Sequence, residues 1–387
     1  MELVTINISP DHVGKNNIYF QGSGIDLSKE KKLAPENAKH INLPRDQFFS
    51  LRDHCKPESQ DFIYISDILE TKFYPLILKE MLISCKREGF LIVEAKNSAV
   101  ISFPEFVKEA KLLMQDKAGL RKEDHHEKVL VFQKTKSLLE QGDSISKFTF
   151  GIISNGKRNE QIDQQIEAIK QFKIPEYEII VCGLYKETKD KKINYIFFDA
   201  YDKGWITAQK NLILENAKYE NVVVMHDRIL PQKDFYQGLK KYGNYFEILS
   251  CKITNQQGER CGDWITHGNP LDKPPRIGLL EYKDWDKDIW LDGAFYIMKK
   301  SVWRQVQWNE ALFWNQAEDM KLAQGWKEKG FIPRYNPFSS CLTLSWRHGQ
   351  FPKYQFDEKK LGKRDVAFIP STKEKAKFYI KKALGKK

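Results

Sequence analysis

The chain has 387 residues, of which 41% are hydrophobic and 13% aromatic, a content that excludes a disordered protein and suffices for two or three domains. No run of 18 or more apolar residues occurs, which excludes a membrane-spanning helix, and the six cysteines lack the CxxC spacing of a zinc knuckle. The net charge is +11, but the last 15 residues alone carry +6, so the body of the chain does not indicate a nucleic-acid partner.

Residues 1–136 predict a first α/β domain. Its clearest strands, which are continuous apolar runs, are predicted at 61–69, 89–95 and 128–134. Between the first two, the apolar spacing predicts a helix at 74–87 that Gly89 terminates. The polar segment at 137–147 contains Gly and Ser and predicts a linker.

Residues 148–350 restart the alternation and predict a second α/β domain. Strands are predicted at 148–154, 177–183, 193–200 and 221–227, and helices at 160–172 and 205–218. Apolar strands separated by amphipathic helices indicate a mostly parallel sheet, in which ligands bind beyond the carboxyl ends of the strands. The polar residues at those ends include Ser154, Asn155, Lys157, Arg158, Asp199, His226, Asp227 and Arg228.

Carboxylates at two of these places carry the candidate chemistry. Asp227 follows the buried run VVVMH, where a rigidly held carboxylate can bind a divalent cation; a helix-capping aspartate is the alternative. Glu318 and Asp319 precede a helix that stops at Gly330, and plain capping is again the alternative. His348 follows a late strand, where a lone histidine is either a ligand or structural.

The order of these segments resembles one family. Ser-Asn-Gly-Lys-Arg after a strand is followed by Ala-Gln-Lys-Asn, VVVMHDRILP, WLDGAFYIMKK, AEDMKLAQGWKEKGF and a late WRH. This resembles a GT-A glycosyltransferase of the family 2 type over residues 148–350. The resemblance implies transfer of a sugar from a nucleotide-sugar donor to a glycan or lipid-linked acceptor, with inversion, in polysaccharide or glycoconjugate biosynthesis. It also implies Mn²⁺ or Mg²⁺ as cofactor.

The resemblance further implies a role for individual residues. The catalytic base is Asp319, with Glu318 as the alternative. The metal ligands are Asp227, His226 and His348. The donor is bound by Ser154, Asn155, Lys157, Arg158, Asp199, Asn211, Arg228, Asp292, Gly293 and Ala294. Glycosyl transfer needs a carboxylate to take the proton of the acceptor hydroxyl and positive charge on the departing diphosphate.

Two departures from the family pattern leave alternatives open. The usual motif has two aspartates flanking one residue, whereas this chain has His226-Asp227-Arg228. Either fewer protein ligands hold the metal, or Arg228 partly replaces it. The second strand ends in Cys182-Gly183 in place of an acidic pair, so the identity of the nucleotide stays open, with Asp199 or Asp202 as compensating candidates.

Residues 1–136 resemble a class I S-adenosylmethionine-dependent methyltransferase, with GSGIDLS, INLP and DFIYISDILE as the matching segments. The predicted first strand, LVTINIS, runs into Pro10-Asp11-His12 without the expected glycines, although Asp26 matches the ribose-binding acid. Three interpretations stay open: a degenerate domain, an active sugar methyltransferase, and α/β similarity without common ancestry. S-adenosylmethionine is not an expected cofactor.

Residues 351–387 form a basic extension with capping-box spacing at 371–374 and an amphipathic pattern after it. This pattern fits either docking on an anionic membrane surface or a solvated terminal helix. No secretory signal is expected from the first residues, so the predicted location is cytoplasmic, peripheral on the inner face of the membrane if the tail docks. The rival functions are a methyltransferase whose second domain binds glycan, and a non-catalytic glycan-binding scaffold.

Overall fold

A computed structural model describes residues 23–29, 38–44, 46–96, 101–186, 190–199, 204–266 and 278–345. The chain divides into two compact units. Unit 1 contains Met1–Gln141, Glu281–Lys287 and Glu328–Ile332, and unit 2 contains Gly142–Leu280, Asp288–Lys327 and Pro333–Lys387. None of the helices in the described ranges is long and apolar enough to span a bilayer. The predicted tail helix and His348 lie outside the described residues.

Unit 1 contains a six-stranded mixed sheet. Its strands are β1 (Gly24–Asp26), β2 (Ala38–His40), β3 (Gln60–Ile65), β4 (Cys85–Glu94), β5 (Ala118–Asp124) and β6 (Val129–Lys134). The sheet order is β2-β1-β3-β4-β6-β5, parallel from β2 to β4 and antiparallel beyond. Two helices accompany it, α1 (Tyr74–Ser84) and α2 (Phe103–Met114). The Ser102 and Glu105 side chains form a capping box that starts α2.

The boundary between α1 and β4 corrects the predicted helix at 74–87. The helix ends at Ser84, and the strand begins at Cys85, which pairs with Gln60 of β3. Gly89 lies inside that strand, where an added Cβ would meet the carbonyl oxygen of Asp61 at 2.6 Å. This glycine therefore permits a close backbone approach within the sheet and does not terminate a helix.

The methyltransferase resemblance of unit 1 is not confirmed and stays a prediction. The predicted first strand at residues 3–9 lies outside the described residues. Asp26 is fully buried at the end of β1, where its carboxylate accepts a hydrogen bond from the Ser28 backbone N–H at 2.9 Å.

Unit 2 is an α/β unit built on an eight-stranded sheet. Its strands are β7 (Lys147–Asn155), β8 (Glu176–Leu184), β9 (Ile193–Phe197), β10 (Asn221–His226), β11 (Ile229–Pro231), β12 (Ile248–Thr254), β16 (Phe295–Lys299) and β17 (Pro333–Thr343). The order β11-β17-β12-β16-β10-β7-β8-β9 is parallel from β9 to β10, and β16 runs antiparallel. Three short strands form a small separate sheet: β13 (Ile265–Thr266), β14 (Gly278–Leu279) and β15 (Ile289–Trp290).

Five helices belong to the described part of this unit: α3 (Asn159–Gln171), α4 (Ile206–Asn216), α5 (Phe235–Tyr242), α6 (Lys300–Gln305) and α7 (Glu318–Glu328). Apolar side chains of α3 and α5 pack with those of β7, β8 and β10 in one buried core. The predicted strands and helices between 148 and 227 are confirmed, with ends displaced by no more than three residues.

The connections around β7 create a crevice in unit 2. The chain proceeds from β7 outward to β8 and β9, then returns to place β10 on the opposite side of β7. Loops leaving neighbouring strands in opposite directions open a crevice at their carboxyl ends. Ile153 pairs with His226, so the loop after Asn155 lies beside the residues that follow β10.

Candidate active site

A cavity of about 850 Å³ lies in unit 2 beyond the carboxyl ends of β7 and β10. Most of the residues predicted from the sequence to form a site line it. They are Ser154, Asn155, Lys157, Arg158, His226, Asp227, Arg228, Asp292, Gly293, Glu318 and Asp319. The two key carboxylates, Asp227 and Asp319, therefore face the same space although 92 positions separate them in sequence.

Three of the described predicted site residues do not line the cavity. Asp199 is exposed and does not line the cavity, and Ala294 is buried behind it. Asn211 is also buried, because its side-chain amide is used structurally: Nδ2 donates to the Trp308 carbonyl at 2.9 Å and Oδ1 accepts from the Trp303 indole at 3.0 Å. This geometry corrects the expected donor contact of Asn211. His348 lies outside the described residues.

The loop after β7 turns sharply and places its two cations at the start of α3. The Ser154 hydroxyl accepts from the Gly156 N–H at 3.1 Å and donates to the Leu184 carbonyl at 2.6 Å. Gly156 has a φ of +77°, a conformation that favours glycine. The turn brings Lys157 and Arg158 to the cavity at the positive end of α3, where backbone N–H groups favour anions.

Asp227 lies on this side of the cavity and is paired with a cation. Its Oδ1 accepts a hydrogen bond from Arg158 Nη1 at 2.9 Å, and the residue is only 4% exposed. Burial raises the pKa of the Asp227 carboxyl, while the nearby guanidinium groups of Arg158 and Arg228 counter that rise. The pair is therefore an aspartate that orients an arginine at the rim of the cavity.

His226 presents a neutral imidazole. Its Nε2 atom is sealed from solvent and has no hydrogen-bond partner among the described residues. Burial lowers the pKa of His226 well below its usual value, and the neighbouring charges of Lys210, Arg228 and Arg158 lower it further. Its backbone is fixed on both sides, because His226 N–H donates to the Ala294 carbonyl and its own carbonyl accepts from Gln165.

The expected metal ligands do not fit a divalent cation in the described part of the chain. No group of three or more His, Cys, Asp or Glu side chains there has the arrangement of a metal site. One oxygen of Asp227 already meets Arg158, and three cationic side chains surround His226. These positive charges oppose the binding of a metal cation beside Asp227 and His226, so no step below is routed through a metal.

The cavity is also lined by a cluster of three carboxylates, contributed by Asp292, Glu318 and Asp319. Backbone N–H groups orient two of them: Met320 donates to Asp319 Oδ1 at 2.8 Å, and Ala294 donates to Asp292 Oδ1 at 3.0 Å. Burial, together with the charges of Glu318 and Asp292, raises the pKa of Asp319 to about 7. A carboxyl that titrates near neutral pH is suited to accept a proton.

Lys210 supplies the counter-charge beneath this cluster and was missed by the sequence prediction. Its side chain is fully buried, with Nζ 3.7 Å from Glu318 Oε1 and over the rings of Tyr296 and Trp308. Burial lowers its pKa, and the carboxylates Glu318, Asp319 and Asp292 oppose that change. The available signal was its place in Ala-Gln-Lys-Asn, on a helix that is buried on nearly every side.

A close backbone approach joins the lysine to the carboxylates. A Cβ added at Gly293 would lie 2.8 Å from Glu318 Oε1 and 3.4 Å from Lys210 Nζ. Gln209, a second residue that the sequence prediction missed, lines the cavity and donates to the carbonyls of Ser154 and Cys182. The β8 end, where the family pattern expects an acidic pair, is thus occupied by a structural amide.

Comparisons with known proteins give the following similarities. No family model matches the chain, and no curated protein matches it. S. aureus TarS matches with 12% identity over 51% of this chain and 37% of its own, at a TM-score of 0.38. GalNAc-T7, whose structure holds UDP, GalNAc and Mn²⁺, matches with 9% identity over 54% of this chain and 45% of its own, at a TM-score of 0.39. The inositol-1-phosphate CTP transferase from T. maritima matches with 12% identity over 52% of this chain and 89% of its own, at a TM-score of 0.35.

The chain spans 37% to 62% of the length of the TarS chains that it matches, which include complexes with UDP and UDP-GlcNAc. At TM-scores of 0.38 and 0.39 these similarities support no inference about this chain, so its chemistry is argued from the residues of its own cavity.

Proposed function

We propose that the chain is a glycosyltransferase that moves a sugar from a nucleotide-sugar donor to an acceptor hydroxyl. The observation that carries this proposal is that both cationic side chains, here called the cationic wall, and carboxylates, here called the carboxylate wall, line one cavity. Lys157, Arg158 and Arg228 line the first, and Asp292 and Asp319 line the second. Sugar transfer from a nucleoside diphosphate needs both: positive charge for the leaving group and a base for the attacking hydroxyl.

On the cationic wall, the donor diphosphate lies against the loop after β7 and the start of α3. The bond between the anomeric carbon and the diphosphate oxygen breaks, and its electron pair goes to that oxygen. Guanidinium and ammonium groups placed where this charge develops stabilise the departing diphosphate more than the intact donor. The cavity volume of about 850 Å³ is within the range of pockets that bind ligands of this size.

On the carboxylate wall, Asp319 accepts the proton of the acceptor hydroxyl while its oxygen forms the bond to the anomeric carbon. Asp319 is preferred over Glu318 because Asp319 titrates near neutral pH, whereas Glu318 is 6% exposed and faces Lys210. Gly293 lies beside this carboxylate, and its backbone N–H donates a hydrogen bond to Asp319 Oδ2 with an N···O distance of 3.3 Å. A single displacement with one base predicts inversion at the anomeric carbon.

The remaining features of the proposal come from the resemblance. They are a glycan or lipid-linked acceptor, a role in polysaccharide or glycoconjugate biosynthesis, and a cytoplasmic location with the basic tail on an anionic membrane surface. The same resemblance implies Mn²⁺ or Mg²⁺, but the reaction proposed here does not depend on it. A metal ion held here would need donors beyond Asp227 and His226, such as His348, which lies outside the described residues.

The proposal is tested by incubating the full chain with a panel of nucleotide sugars and measuring the nucleoside diphosphate released, with and without Mn²⁺. Release from at least one donor, lost in Asp319→Ala, is the expected result. If no donor in the panel is cleaved or bound, the proposed function is wrong. Calorimetry with S-adenosylmethionine tests the rival methyltransferase, for which heat of binding is the distinguishing result.

A further inference from the structure

The cationic wall of the cavity has an excess of positive charge at the place where the family pattern expects a metal ion. Lys157, Arg158 and Arg228 converge there, and Asp227 supplies the only carboxylate among the described residues of that wall. The wall therefore offers three positive charges against one negative charge before any ligand binds.

Asp227 lines the cavity, but one of its carboxylate oxygens is already engaged with a neighbouring cation. Its Oδ1 meets Arg158 Nη1 at 2.9 Å, and its side chain is 6% exposed, whereas that of Arg158 is 31% exposed. The arginine is thus the more exposed partner of an ion pair at the cavity. A guanidinium has five N–H donors, so the bond to Asp227 leaves others for phosphate oxygens.

We infer that Arg158, Arg228 and Lys157 neutralise the donor diphosphate in place of a protein-bound metal ion, and that Asp227 acts by positioning the Arg158 guanidinium. This inference rests on the proposed function and specifies how the leaving group is held. When the bond between the sugar and the diphosphate breaks, the electron pair goes to the phosphate oxygen facing Arg158. Arginine pairs with phosphate in a bidentate geometry that lysine does not reproduce.

The first test measures binding and does not depend on turnover. UDP, GDP, ADP and CDP are titrated by calorimetry into the full chain in EDTA and, separately, in Mn²⁺. We expect at least one nucleotide to bind with the same affinity in both buffers. We also expect Mn²⁺ alone, followed by electron paramagnetic resonance, to remain free in solution.

Variants then identify the groups that hold the diphosphate. Arg158→Met and Arg228→Met should each weaken nucleotide binding in EDTA by about 10- to 100-fold, because each removes a charge-assisted hydrogen bond. The matched control is Arg304→Met, which removes an exposed arginine of α6 outside the cavity, and should leave the affinity unchanged. Circular dichroism of each variant distinguishes a lost contact from a misfolded chain.

Two results overturn the inference, and they separate it from the proposed function. If nucleotide binding and sugar transfer occur only with Mn²⁺ or Mg²⁺ and are lost in Asp227→Asn, Asp227 is a metal ligand; sugar transfer then stands and the inference is wrong. If no nucleotide binds in either buffer and no nucleotide sugar is cleaved, the proposed function fails together with the inference.

Discussion

Replacing Asp319 by asparagine should abolish sugar transfer and yet stabilise the fold above neutral pH. The pKa of Asp319 is raised from 3.8 to about 7 by burial and by the charges of Glu318 and Asp292. Between these values the folded chain keeps a proton that the unfolded chain has lost. The free energy of unfolding of the wild type is therefore highest below pH 3.8. It falls by about 1.4 kcal/mol per pH unit between pH 3.8 and about pH 7, and it levels off at higher pH.

From about pH 5 to pH 8 this loss amounts to about 3 kcal/mol, and Asp319→Asn should escape it because asparagine does not titrate. Urea unfolding of both chains at the two pH values measures the difference. Tryptophan fluorescence is the appropriate signal, because eight of the nine tryptophans belong to unit 2.

A matched carboxyl-to-amide control separates this effect from the removal of any acidic group. Glu167→Gln changes an exposed residue of α3 that pairs with Lys170, and it should follow the pH dependence of the wild type. If Asp319→Asn and the wild type lose stability in parallel between about pH 5 and pH 8, Asp319 is not a carboxyl that stays protonated up to neutrality. The assignment of the base would then lose its physical support.

Three further outcomes are expected. The kcat/KM of the wild type should rise about tenfold per pH unit below pH 7 and level off above it, since only ionised Asp319 accepts a proton; a pH-independent rate between about 5 and 8 would contradict this. Lys210→Met should shift that rise to higher pH, because the Lys210 charge lowers the pKa of Asp319; the pH–rate profile measures this shift. The same substitution should lower the free energy of unfolding by about 3–5 kcal/mol, because Glu318 loses its buried counter-charge; thermal melts measure this loss. Gly293→Ala should displace the neighbouring carboxylates and lower kcat by up to about 100-fold, the loss that a misplacement of about 1 Å causes. Circular dichroism should show that the fold is intact.

The sequence predicts the part of the fold that local patterns control. The apolar runs that become β7, β8 and β10 are recognisable because both faces of a central parallel strand are buried. The end of α1 could not be predicted, because the segment after Ser84 pairs with β3, a contact that no local pattern encodes. Helical periodicity continues through those residues in the sequence, and the tertiary pairing overrides it.

The candidate site was predictable where it depends on strand ends and not where it depends on side-chain pairing. Asp227 follows a buried strand, and parallel sheets place ligands there, so its position at the cavity follows from the pattern. Its ion pair with Arg158 joins residues 69 positions apart and emerges only from the fold. Lys210 was overlooked for the same reason: the three carboxylates that it balances come from two distant segments.

The most direct measurement of the central claim compares donor cleavage and donor binding in wild type, Asp319→Ala and Asp227→Ala. The wild type is expected to release nucleoside diphosphate from a nucleotide sugar in the presence of acceptor, and Asp319→Ala to bind the donor but release none. Asp227→Ala should bind the donor more weakly, because Arg158 loses its orienting carboxylate. Wild-type rates of sugar transfer in both variants would show that this cavity is not where the reaction takes place.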